Sequence, residues 1–142
     1  TDAGTPCISD PGFLLVREAI KKEIQITCLP GPTALIPALV LSGLSSDAFI
    51  FEGFLPRKKG RKSKLYEISQ NTKTSILYES PFRIIKTLSD MKETIGSERK
   101  IAIVREISKI YEEVFRGTIE EAILEYNERT IKGEFVICIE KA

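Results

Sequence analysis

Histidine and tryptophan are absent, methionine occurs once, and cysteine occurs three times in 142 residues. Without histidine there is no Ser-His-Asp or Cys-His nucleophile and no imidazole-ligated metal. Any general base must be a carboxylate, a lysine, a tyrosine or water. Cys7, Cys28 and Cys138 are odd in number, far apart and without metal-ligand spacing, so no metal is expected. They read as three inert small hydrophobes in a reducing, cytoplasmic setting. No apolar run approaches the ~18 residues that span a bilayer, and no signal-peptide pattern is visible, so no membrane partner is expected. Repeats and low-complexity tracts are also missing. What remains is an ordinary globular composition, 42% apolar and 29% charged, long enough to bury a core.

The densest information lies in Thr1–Gly12, a run of turn formers and short polar side chains. Gly and Pro fix turns there, while Asp, Ser and Thr cap backbone or point into a site. Such a loop, feeding the amphipathic segment Phe13–Lys22, lets a ligand approach backbone beside a helix N-terminus. The plainer alternative is a surface turn in which Ser9-Asp10-Pro11 starts the helix. Ligand loops of this kind hang from buried strands, and none precedes this one. The chain is therefore expected to be the C-terminal piece of a longer protein.

A net charge of +1 hides an asymmetry. Arg57-Lys58-Lys59-Gly60-Arg61-Lys62-Ser63-Lys64 holds six cations, which leaves 15 basic against 20 acidic groups elsewhere. One basic cluster on an acidic body is an electrostatic footprint for a polyanion. A solvated loop and first helical turn is the alternative. The strand-like Phe49–Leu55 just before it places the cluster past a strand end, where loops commonly carry function.

Elements alternate along the chain. Pro11–Lys22 reads as a helix and Ile24–Leu29 as a short buried strand. Pro30-Gly31-Pro32-Thr33 opens a helix to Ser42, with Pro37 tolerable in its first turn. Gly43 stops it, and Leu44–Asp47 reads as a linker. Strands are expected at Ala48–Phe54 and Thr74–Glu79, with a helix around Lys62–Gln70 between them. A helix starts at Pro81, carries Ile84, Ile85, Leu88, Met91 and Ile95 on one face, and ends at Gly96. Lys100–Ile107 and Tyr111–Gly117 pair as a hairpin across Ser108-Lys109-Ile110. Thr118 and Glu121 form a capping box for a helix Ile119–Glu128. Phe135–Glu140, an apolar run, is the expected central strand. The order gives an α/β domain with a mixed five-stranded sheet.

Six motifs in register carry a resemblance over the whole chain: Thr1–Gly12, Leu29–Ala34, Phe51–Gly60, Tyr78–Pro81, Arg105-Glu106 and Lys132–Phe135. Together they resemble the ribosomal RNA small-subunit methyltransferase I family, a tetrapyrrole-methylase-like branch of the class III S-adenosylmethionine enzymes. The resemblance implies 2′-O-methylation of a cytidine in small-subunit ribosomal RNA or the 30S particle. It also implies a homodimer of two-domain chains with the methyl donor, S-adenosylmethionine, in the interdomain cleft. Residues 1–46 would be the remnant of the first, donor-binding domain and residues 47–142 the complete second domain. With only part of the donor site, the fragment itself would be inactive. One departure is Phe82, where that family usually has histidine after Glu-Ser-Pro.

The resemblance and the chemistry together nominate residues. Asp2, Ala3, Gly4, Thr5 and Pro6 are expected on the donor, Gly4 for close backbone approach and Asp2 as acceptor. Thr33 and Ala34 lie at a helix start, and Tyr78, Glu79 and Glu134 lie at strand ends, all candidate donor contacts. Glu79, Glu106 and Lys109 are the candidate proton acceptors for the attacking hydroxyl, a lysine serving only if its pKa is depressed. Arg57, Lys58, Lys59, Arg61, Lys62 and Arg83 are expected on RNA phosphates. Two other readings stay open: a tetrapyrrole-precursor methylase, with little use for clustered cations, and a non-catalytic RNA-binding module.

Overall fold

The structure, a computed structural model, describes residues 4–142 and divides into two compact units, Thr1–Ala34 and Leu35–Ala142. In the first, α1 (Phe13–Lys21) starts two residues and ends one residue inside its expected limits. Phe13, Leu14, Leu15 and Ile20 are all exposed, and no residue of the helix is buried. Ile24–Leu29 is not the expected buried strand: it makes no sheet pairing, and Ile24, Ile26 and Leu29 are exposed. The reason is backbone accounting. A strand exists only where a neighbour takes up its N–H and C=O groups, and the described residues of this unit supply none.

The second unit is the α/β body. Its strands are β1 (Phe49–Phe54), β2 (Thr74–Glu79), β3 (Lys100–Arg105), β4 (Glu113–Thr118) and β5 (Phe135–Ile139). They form one mixed sheet in the order β1-β2-β5-β3-β4. β1 and β2 are parallel, joined through α3 (Arg61–Ser69), while β5 runs antiparallel to both β2 and β3, and β3 to β4. The central place expected for Phe135–Glu140 and the β3–β4 hairpin are both found. Helix α2 (Leu35–Ser42) packs on the sheet and belongs to this compact unit.

Side-chain alternation along the central strands builds two cores. Phe135, Ile137 and Ile139 of β5 join Leu77, Ile101 and Ile103 in one cluster, with Leu65 and Ile68 of α3. Ile84, Leu88 and Met91 of α4 (Ile84–Ile95) and Ile119, Ala122 and Tyr126 of α5 (Ile119–Asn127) complete it. Val136 and Cys138 point the other way, with Ile76, Ala102 and Val104, onto Leu35, Ala38 and Leu39 of α2. A strand covered on both faces needs an unbroken apolar run, which is why β5 has no polar residue. The capping box is present: Glu121 N–H donates to Thr118 Oγ1 at 3.2 Å and Thr118 N–H to Glu121 Oε2 at 2.7 Å.

Ile137 lies at the middle of β5 and is wholly buried. Ile137→Ala is expected to lower unfolding free energy in urea by about 2–5 kcal/mol. Exposed Leu124→Ala should change it by no more than about 0.5 kcal/mol.

Candidate functional site at one end of the sheet

The sheet order gathers the chemistry-bearing residues of the second unit onto one edge. β1, β2 and β3 share a direction and β4 and β5 oppose it, so the ends of the first three lie beside the starts of the other two. Glu79, Phe135, Arg105 and Glu113 are neighbours in register across that edge. Tyr78–Glu79, Arg105-Glu106 and Gly133-Glu134, separated widely in sequence, are thereby brought together. β1 shifts register between Phe51 and Gly53, whose φ of +63° suits a glycine bulge, and ends on half-exposed Phe54. Tyr78 packs edge-on to Phe51 and Phe54, with ring centroids 4.9 and 5.8 Å away.

Beneath the edge lies a chain of buried polar contacts. Glu79 is 3% exposed, and its Oε2 accepts from Thr87 Oγ1 at 2.6 Å while Oε1 accepts from Ser80 N–H at 2.8 Å. Arg83 pairs with the same carboxylate at 3.3 Å and donates from Nη2 to the Leu55 carbonyl at 2.8 Å. Arg61 donates to Thr87 Oγ1 at 2.8 Å, to Asp90 Oδ2 at 2.6 Å and to the Pro56 carbonyl at 3.2 Å. Burial pushes the Asp90 carboxyl up, but its contacts with Arg61 and Lys86 outweigh this and hold it below its ordinary value. These partners correct two expectations. Arg61, 6% exposed with its guanidinium fully engaged, is a strut and not a phosphate contact. Glu79 has both oxygens committed and no solvent face, so it holds two strand ends together and is no free base. Arg83, likewise engaged, is at most a marginal cation.

The remaining cations of the run differ from Arg61 in their surroundings. Arg57, Lys58, Lys59 and Lys62 are exposed and, among the described residues, form no ion pair. Lys64 instead pairs with Glu52 at 2.5 Å, which raises its pKa. Arg57, Lys58, Lys62 and Lys86 line a cleft of about 250 Å³ floored by Arg61 and Asp90. Sequence reading missed Thr87, Asp90 and Lys86. Thr87 carried a signal, a polar residue on the buried 84–88–91 stripe of α4.

At the β3–β5 side, Glu106, Lys109 and Glu134 meet. Lys109 Nζ lies 3.0 Å from Glu106 Oε1 and 3.0 Å from Glu134 Oε2, and Glu134 N–H donates to Glu106 Oε1 at 2.9 Å. Glu106 takes φ +50° and Ser108 φ +61°, uncommon for residues with a Cβ. Gly133, at φ +94°, is required beside them, because a Cβ there would sit 2.6 Å from Glu106 Cγ. The Glu134 N–H and then the Lys109 ammonium hold the Glu106 carboxyl below its ordinary value. Glu106 and Glu134 raise Lys109, so it is no depressed-pKa base. Of the three nominated proton acceptors, only Glu106 keeps an oxygen, Oε2, outside these contacts.

In the first unit, Asp2 and Ala3 lie outside the described residues. Gly4, Thr5 and Pro6 form a turn against Gly31-Pro32: Thr5 N–H and Oγ1 both donate to the Pro32 carbonyl, at 2.8 and 3.1 Å. A Cβ on Gly4 would lie 2.9 Å from that oxygen and one on Gly31 3.1 Å from Thr5 Oγ1. The two loops nominated for one ligand thus adjoin, with Thr33 and Ala34 following directly. Among the described residues no acid, cysteine and histidine cluster could hold a metal ion, and no helix is long and apolar enough to cross a membrane.

Thr87→Val should leave Arg61 Nη2 and Glu79 Oε2 without their shared partner and cost about 1–3 kcal/mol by urea denaturation, with Thr87→Ser, which keeps the hydroxyl, avoiding most of that cost. The Glu106 shift has a definite sign. Its lowered folded pKa contributes stability above the ordinary value of 4.5, and this is lost as pH falls through the folded value. The raised Lys109 contributes below 10.5 and is lost as pH rises through its own folded value. Melting curves of wild type and Glu106→Gln should therefore differ at pH 7 and converge in acid below 4.5.

Comparison with known proteins adds the following. The sequence profile of the tetrapyrrole (corrin/porphyrin) methylases matches residues 1–123. A ribosomal RNA small subunit methyltransferase I from Synechocystis sp. is 46% identical over 140 residues, 98% of this chain and 50% of that protein. The protein of that name from Haemophilus influenzae is 49% identical over 144 residues, 99% of this chain and 50% of its own length. The chain spans about half the length of the curated relatives it matches. Among solved structures, the methyltransferase CobJ superposes with a TM-score of 0.67 at 18% identity, over 98% of this chain and 62% of that one. Uroporphyrin-III C-methyl transferase from Thermus thermophilus, complexed with S-adenosyl homocysteine, gives 0.63 at 17% identity, over 95% and 62%. At such identities the likeness shows a shared fold.

Proposed function

This chain belongs to the tetrapyrrole (corrin/porphyrin) methylase family, and on that premise we propose that it is part of an S-adenosylmethionine-dependent enzyme that methylates small-subunit ribosomal RNA. The substrate assignment follows the relatives that match along nearly all of the chain, which carry that activity in their name. The 2′-hydroxyl of a cytidine as acceptor, the 30S particle as partner, a cytoplasmic setting and a homodimer belong to the same proposal. So does the division of the longer protein into a donor lobe that includes residues 1–46 and an RNA-facing lobe of 47–142.

The observation that carries the reading is the loop after β1. Four exposed cations, without an ion pair among the described residues, sit at a strand end on a chain whose other residues sum to a negative charge. A polyanion is held by such a loop through phosphates, without sequence readout. A tetrapyrrole precursor would call for a broad apolar slot, which this cationic cleft does not offer. The apposed Gly4–Pro6 and Gly31–Pro32 turns fit a compact donor, because small residues with exposed backbone permit close approach. Asp2, Ala3, Gly4, Thr5, Pro6, Thr33 and Ala34 are assigned to it.

When bound, S-adenosylmethionine supplies a methyl already activated on a sulfonium. The protein's part is to orient the hydroxyl in line and to receive its proton. Glu106 is assigned that proton, through Oε2, with Lys109 fixing the carboxylate and remaining charged. Glu79 and Arg83 act at one remove, by holding the β1 and β2 ends in place.

Binding of single-stranded RNA to the chain, followed against salt, tests the reading. Lys58→Ala/Lys59→Ala should flatten the slope of log K against log salt by roughly 1.4, about 0.7 per lost phosphate contact. Failure to bind RNA, or tighter binding of a porphyrin precursor, would overturn it.

A further inference from the structure

Three of the four aromatic side chains exposed in residues 35–142 lie at the same end of the sheet as the cationic loop. Phe54 closes β1 and is 51% exposed, Phe82 follows β2 and is 96% exposed, and Tyr111 precedes β4 and is 71% exposed. The fourth, Tyr66, is on α3. Ile110, beside Tyr111, is 94% exposed. Single exposed apolar residues are common and carry no message, but a group gathered on one edge marks a contact surface.

These side chains are not on slack loops. The turn under Phe82 is tied by Arg83 N–H to the Ser80 carbonyl at 3.0 Å. The loop bearing Tyr111 is tied by Lys109 N–H to the Glu106 carbonyl at 3.0 Å and by Ser108 N–H to Glu112 Oε2 at 2.6 Å. The Glu106–Lys109–Glu134 contacts fasten it to the start of β5. A braced turn that aims an aromatic ring into water loses apolar burial that a small rotation could recover. The rings are therefore presented, ready for a flat partner.

β2 and β3 are separated only by β5, so the two turns lie about 10 Å apart along the edge at ordinary strand spacing. Next to them, on the β1 side, stand Arg57, Lys58, Lys59 and Lys62. Cations beside upright aromatic rings match a single nucleic-acid strand, with phosphates on the charges and splayed bases on the rings. An apolar protein partner would leave the cations unmatched, and duplex RNA keeps its bases stacked inside. We propose that Phe82 and Tyr111, with Phe54 beside them, form a stacking platform for unpaired RNA bases, adjoining the phosphate-holding loop. The proposal rests on the RNA reading above and deepens it, separating base contacts from phosphate contacts.

The chain has no tryptophan, so Phe82→Trp installs a single fluorescent reporter at the platform. Titration with a single-stranded RNA of about ten nucleotides should quench its emission, while inorganic polyphosphate binds without quenching. Phe82→Ala and Tyr111→Ala should each weaken single-stranded RNA binding roughly tenfold with the salt slope unchanged, and leave duplex RNA binding as it was. Equal quenching by polyphosphate, or a silent Phe82→Ala in a chain whose RNA binding still depends on Lys58 and Lys59, overturns the platform and leaves the RNA reading standing. A blue shift of the Phe82→Trp emission that grows with protein concentration alone assigns the surface to a second copy and also overturns it. Absence of any RNA binding overturns both.

Discussion

β5 pairs antiparallel with β2 on one side and β3 on the other, and that single insertion governs where every polar residue of interest ends up. Were β5 at an edge, β2 and β3 would face each other directly, and Gly133-Glu134 would be far from at least one of them. With β5 between them, its start sits between the ends of β2 and β3. The Gly133 turn then lies against Glu106, and Glu134 reaches Lys109. The placement requires a strand buried on both faces, which only an uninterrupted apolar run tolerates. Phe135-Val136-Ile137-Cys138-Ile139 supplies one, and the hydrophobic cost of exposing it fixes the sheet order.

The two carboxylates at neighbouring strand ends show how local surroundings divide labour. Glu79 lies inside, and a carboxylate there is tolerable only because Thr87, Ser80 and Arg83 compensate it. Glu106 lies at the surface, held by one amide and one ammonium on a single oxygen. The first arrangement uses up the acid's capacity to accept, and the second leaves some of it available. Arg61 extends the inner network to Asp90 and to the Pro56 carbonyl, so the start of the cationic loop is pinned from below. A loop that is already ordered surrenders less conformational freedom when it binds.

Much of this was legible in the sequence. The five strands of the α/β body, the hairpin, the capping box and the central place of Phe135–Ile139 follow from periodicity and local turn chemistry, both short-range signals. What was missed depended on distant partners. Ile24–Leu29 has the composition of a buried strand, but composition names no neighbour, and none is found among the described residues of its unit. Arg61 sits in a run of five other cations, and nothing within that run says that Thr87 and Asp90 will bury it. Arg83 reads as a free cation until Glu79 folds back one helical turn away. The Glu106–Lys109–Glu134 contacts fell within nominated residues, because the resemblance motifs and the strand ends already pointed to them. Their mutual geometry, which decides that Lys109 stays charged, required the sheet order.

The edge carries an electrostatic gradient that orients whatever docks on it. Toward β1 stand Arg57, Lys58, Lys59 and Lys62, unpaired, with Lys86 beside them. Toward β3 and β4 stand Glu106, Glu112, Glu113 and Glu134, among which Arg105, Lys109 and Arg129 form ion pairs. Four strand spacings separate the ends of this edge, about 19 Å, against a Debye length of about 10 Å in 0.1 M salt. The exposed cations toward β1 and the ion-paired carboxylates toward β4 are therefore largely screened from one another in solution. A polyanion meeting this edge is drawn first to the exposed cations toward β1. Under the proposed function, that unevenness suits a division of labour in which the cationic loop holds phosphates and Glu106, with one oxygen open, stands at the other end.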